Sequence, residues 1–83
     1  MIPEFTKHQI DQYVAHGICT GSFLTAVLEN NLIQAFACAD EDNIANMFHI
    51  ASYVYNHVPI ACYGSPEKMA AWREMKRKER DGN

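Results

Sequence analysis

Apolar residues return every three or four positions along most of this chain, the period of an amphipathic helix, and polar or glycine-bearing stretches cut that rhythm into pieces. Nowhere does the alternation of a half-buried strand take over. Thr6 followed by Gln9 reads as a capping box, with Phe5 and Ile10 placed for a hydrophobic staple, which predicts a first helix over about residues 7–16. Ile10, Tyr13 and Val14 form its inward face. Gly17 stops it by taking the left-handed conformation at little cost, with Ile18 folding back towards Tyr13.

Thr20 or Ser22 can cap a second helix carrying Phe23, Leu24, Val27 and Leu28. Were it to run on to Ala39, the Asn31 carboxamide would interrupt its apolar stripe. A break is therefore predicted: Asn30 ends one helix, and Asn31 with Gln34 opens the next, giving spans of about 22–29 and 32–39. Asp40 or Asp42 caps the longest predicted element, in which Ile44, Met47, Phe48, Ala51, Val54, Tyr55 and Val58 recur at helical spacing until Pro59. That stripe suits a core helix or a seam between two copies. Ser65, Pro66 and Glu67 open a last helix through Met69 and Trp72, and residues 77–83 are expected to be a frayed charged tail. The predicted fold is all-α, one compact domain over residues 1–83 with four to five helices.

Composition adds an expectation of self-association. At 83 residues and 48% hydrophobic the chain is too apolar for disorder, while one copy supplies only a small core. Cys19, Cys38 and Cys62 are far apart with no C-x-x-C, so neither a disulfide framework nor a zinc finger is indicated and a reducing cytoplasm is the simplest setting. The N-terminus lacks the basic-then-apolar order of a leader, and no apolar run approaches the roughly 20 residues that span a bilayer, so a soluble, non-membrane protein is expected. The net charge of −3 is uneven: Lys7 is the only lysine or arginine of residues 1–66, and the rest lie in residues 67–83.

Candidate chemistry is sparse. Gly17, Thr20, Gly21 and Ser22 form a loop before a helix start, where free N–H groups can hold an anion and Gly21 would allow close approach. Plain helix capping explains the same residues, since neither the spacing nor the lysine of a P-loop is present. His8, His16, His49 and His57 do not pair with further ligands, and Asp40, Glu41 and Asp42 answer first to a helix dipole, so no metal and no cofactor is expected. No serine or cysteine sits in a nucleophile elbow, and no enzyme is expected. Acids interleave the basic C-terminal stretch, which argues against nucleic acid. Tyr53 falls beside His49 and Asn56 on the polar side of the long helix, which with Phe48 makes a candidate surface for a partner or a second copy.

The run H-G-x-x-x-G-S-F-L-T-A-V-L-E-N-N-L-x-x-A, followed by A-D-E-D-N, Y-V-Y-N-H-V-P and Y-G-S-P-E-K-x-x-x-W, resembles small helical accessory proteins of tailed phages and prophages over residues 12–72. The shared pattern carries no established activity. It implies a setting in the bacterial host cell, where such a protein works by occupying something. The reading that follows is a non-enzymatic binder of a host defence or regulatory protein, acting as a homo-oligomer; the alternative is a sponge for a nucleotide-like small molecule at the Gly17–Ser22 loop.

Overall fold

Six α-helices and one 3-10 turn account for the fold, and no strand occurs among the described residues, which are 1–82 of this computed structural model. In chain order the helices are α1 (Glu4–His16), α2 (Ser22–Leu28), α3 (Leu32–Cys38), α4 (Glu41–Ala45), α5 (Met47–His57) and α6 (Pro66–Asp81), with the 3-10 turn at Ile60–Cys62. The chain is all-α, as its periodicity predicts, but with more and shorter helices.

The first turn of α1 departs from the expected capping box. The helix starts at Glu4, directly after the extended Pro3, and Thr6 lies inside it. The Thr6 side chain is buried and its hydroxyl donates to Asn43 Oδ1 at 2.8 Å, so a partner 37 residues away claims the group that would have capped. Phe5 is exposed and makes no staple, although Ile10 is fully buried. At the other end Gly17 behaves as predicted. It takes φ 69° and its N–H donates to Tyr13 O at 2.8 Å. Ile18, however, is about half exposed rather than folded onto Tyr13.

The predicted break between α2 and α3 is present and well built. The Asn31 N–H donates to Ala26 O at 2.8 Å and the Asn30 N–H to Val27 O at 3.1 Å, the paired bonds of a Schellman ending, with Asn30 at φ 66°. Asn31 then caps α3 by accepting from the Gln34 N–H at 3.3 Å. The two helices fold back on each other and make the densest packing between any two elements.

The long helix expected from Asp40 to Val58 is two helices. Asp40 caps α4 by accepting from the Asn43 N–H at 2.8 Å, but Asn46 leaves helical geometry at φ −115°, ψ 19°, and its side-chain amide donates to Asp42 O at 2.8 Å. Past this joint α5 turns Ile50 and Val54 into the core, followed by Val58. Of the predicted stripe, Ile44, Phe48, Ala51 and Tyr55 are left exposed.

The core gathers Ile10 and Tyr13 of α1, Leu24 and Leu28 of α2, Ala35, Ile50, Val54, Cys62 and Met69. Three long-range hydrogen bonds lock it. Tyr13 donates to Cys62 O at 2.7 Å, the Gly64 N–H to Leu28 O at 2.7 Å, and Trp72 Nε1 to Val14 O at 3.2 Å. Ser65 caps α6 at the Lys68 N–H, with Pro66 in the first turn. Over most of the tail expected from residue 77, α6 continues to Asp81, with Arg77 paired to Glu74 and, at 3.8 Å, to Asp81. The remainder of that tail, Asn83, lies outside the described residues.

Candidate functional site

The four residues of the candidate anion loop do not converge. Gly17 faces α6 so closely that a Cβ there would lie 2.7 Å from the Lys76 Cβ, and it borders a surface hollow shared with Cys19, Arg73 and Arg77. Arg73 and Lys76 sit against the C-terminal end of α1, where positive charge offsets the helix dipole. Thr20 is occupied: the Thr25 hydroxyl donates to Thr20 O at 3.2 Å, and the two hydroxyls meet at 2.8 Å, so the Thr20 hydroxyl is left to donate to Thr25. Gly21, not Thr20 or Ser22, holds the cap position of α2, at an ordinary φ of −71° and with open space where a Cβ would point. Gly21 and Ser22 border a different cleft of about 440 Å³ whose other residues include Phe5, Phe23, Asp40 and Asp42. The Asp40 and Asp42 carboxylates of the α4 start border the same cleft as the short α2 N-terminus and repel an anion there.

The candidate partner surface also separates. Tyr53 is half-buried and bound inwards, its hydroxyl donating to Asp11 Oδ1 of α1, with Lys7 Nζ 5.5 Å from its ring centroid and the His57 ring 4.9 Å away. Burial, then the Asp11 hydrogen bond, push the Tyr53 phenol up. Burial also pushes the Asp11 carboxyl up, but the bonds from Tyr53 and from Lys7, the latter at 2.9 Å, outweigh it and hold the group below its ordinary value. Tyr53 is thus a clasp between α1 and α5. Phe48, His49 and Asn56 do stand exposed, with the Phe48 and His49 rings edge to face at 5.6 Å and the Asn56 amide donating to Ser52 O.

A third region joins part of the α5 stripe, which periodicity marked as core helix or seam, to α3, which it did not single out, and is more distinctive. Leu32 and Ile33 of α3 are 64% and 79% exposed, and Phe48 and Tyr55 of α5 are 77% and 79% exposed. Phe36 and Ile44 lie beside them in sequence, at about half exposure. Beside α5 run two adjoining hollows of about 170 and 290 Å³ that share Val27, Asn30 and Ala51, the first against α3 and the second against the Tyr63–Gly64 loop. Leu32 and Met47 close the first, and Tyr55 and Tyr63 the second. Neither α3 nor α5 contains an Asp, Glu, Lys or Arg. The sequence does carry this signal: residues 30–39 and 43–66 hold no formal charge in a chain that is 20% charged. It was masked because a helical period shows that a stripe is apolar without showing which part of it the neighbouring helices cover.

Among the described residues no three His, Cys, Asp or Glu side chains gather as metal ligands, and His16 and Cys19 are both exposed. Cys62 is fully buried, and burial pushes its thiol up to about 11, away from the thiolate form a nucleophile needs. No described helix is long and apolar enough to cross a membrane. No family model, curated protein or solved structure matches the chain.

Proposed function

We propose that this chain is a non-enzymatic helical binding protein that occupies another protein as a homo-oligomer, and that the uncharged face of α3 and α5 is a docking surface on which that assembly depends. The observation that carries the reading is the exposure of Leu32, Ile33, Phe48 and Tyr55 around two hollows on helices without a formal charge. Monomeric soluble proteins rarely leave large contiguous apolar patches in water, and those that do use them for contact. Exposed aromatic rings beside hollows are also what interface anchors are made of. The resemblance to phage accessory proteins supplies the setting: a host defence or regulatory protein, in the bacterial cytoplasm, is the target to look for.

The sponge for a nucleotide-like anion has less support, because the Gly17–Ser22 loop divides between two hollows and one of them is lined by Asp40 and Asp42. The two functions separate on the bench. Bacterial lysate passed over the immobilised wild-type chain and over Phe48→Asp should yield a protein retained by the first and lost from the second, while a panel of nucleotides leaves the thermal midpoint unmoved. A nucleotide that raises the midpoint, together with capture indifferent to Phe48→Asp, would overturn the reading in favour of the sponge.

A further inference from the structure

We infer that the occupant of the α3–α5 face is a second copy of this chain, and that the protein works as a two-fold dimer. The inference rests on the reading of that face as a docking surface and names what sits on it. Area is the first argument. With about 150–250 Å² for an aromatic side chain and somewhat less for leucine or isoleucine, the exposed fractions of Leu32, Ile33, Phe36, Phe48 and Tyr55 leave roughly 600 Å² of apolar surface on each chain. Two copies face to face would remove about 1,200 Å² from water, at the lower end of the about 1,200–2,000 Å² of stable specific interfaces.

Charge is the second argument. Across a two-fold axis a residue meets its own copy, so a formal charge near the axis repels itself. An α3–α5 face without a single Asp, Glu, Lys or Arg meets that requirement, whereas recognition of a different protein by steering would use charge, which this face lacks. Shape is the third. The face carries rings that protrude, Phe48 and Tyr55, next to hollows of about 170 and 290 Å³, so each copy offers both the knob and the hole an isologous contact needs.

Sedimentation equilibrium over a wide concentration range tests the inference. The wild type should show dimer mass at micromolar concentration, with a thermal midpoint that rises with concentration. Phe48→Asp should weaken self-association about 30-fold or more, as loss of a central aromatic anchor does. Phe48 is in the first turn of α5, where an acid suits the helix dipole, so the variant should keep its helical circular dichroism. Tyr55→Lys is the second probe, and Phe5→Lys, an equally exposed phenylalanine on the other cleft, should leave the dimer intact. A wild type that stays monomeric to about 1 mM overturns self-pairing. If that monomer still captures a lysate protein in a Phe48-dependent way, the docking surface stands and only its occupant was misidentified; if capture is also indifferent to Phe48, both readings fall. A dimer unaffected by either α5 variant overturns the placement of the seam.

Discussion

The two sides of this molecule treat the same kinds of residue in opposite ways. Where α1 meets α6 and the 3-10 turn, Tyr13, Met69 and Cys62 are fully buried, and the polar tips of Tyr13 and Trp72 are spent on the backbone carbonyls of Cys62 and Val14. Where α3 lies beside α5, the Phe48 and Tyr55 rings stand largely in water. A ring whose polar atom has found a partner inside the chain contributes to folding, and a ring left outside on an uncharged surface is available to something else. The contrast teaches that apolar residues at helical spacing in this chain have two separate uses, and that their local sequence does not say which.

Truncation gives the widest test of that contrast. Met69→Ala should destabilise by about 3 kcal/mol through the cavity it leaves, enough to lower the thermal midpoint by more than about 10 °C in a domain of this size. Phe48→Ala, measured at a dilution where the chain is monomeric, should change stability by less than about 0.5 kcal/mol. Equal losses at the two positions would erase the distinction.

The glycines of the Gly17–Ser22 loop sharpen it next. Gly17→Ala should cost about 2 kcal/mol in chemical denaturation, because the position has a left-handed φ of 69° and its new Cβ would press on Lys76. Gly21→Val, at an ordinary φ and facing open space, should cost less, about 0.5–1 kcal/mol, since only the N-cap preference for glycine over valine is lost.

Tyr13→Phe is expected to cost about 1.5 kcal/mol, since it strips the buried Cys62 carbonyl of its donor. It should also alter alkaline unfolding. Burial pushes the Tyr13 phenol up to about 12, above an unfolded value of about 10, so the unfolded chain releases that proton first. The Tyr13 contribution is therefore full below about pH 10 and is lost as pH rises towards 12; Tyr13→Phe removes this part of the loss, and a comparable one from Cys62, which sets in about one pH unit lower, remains.

The smallest effect belongs to the clasp between α1 and α5. Tyr53→Phe should cost only a few tenths of a kcal/mol at neutral pH, because Asp11 and Lys7 are well exposed and screened. The Asp11 carboxyl sits below its ordinary value, so its contribution is present above about pH 4 and fades as pH falls through the lowered folded value. An acid titration of stability should accordingly be shallower in Tyr53→Phe than in the wild type.

What could be read directly from residue order was enforced within one or two helical turns. Gly17 ends α1, the Asn30–Asn31 pair breaks α2 from α3, Asp40 caps α4 and Ser65 with Pro66 starts α6, because each acts through a hydrogen bond or a backbone preference spanning only a few residues. Three features were decided elsewhere. Thr6 gave up its capping role to Asn43, the long helix split at Asn46, and Tyr53 turned to Asp11, leaving Phe48 and Tyr55 outside while Ile50 and Val54 went in. A helix that is apolar around most of its circumference has several faces that could be buried, and the choice falls to whichever neighbours arrive. Here α1 packs on one side of α5, so the tertiary arrangement, and not the pattern of the sequence, left Phe48 and Tyr55 on the other as a surface.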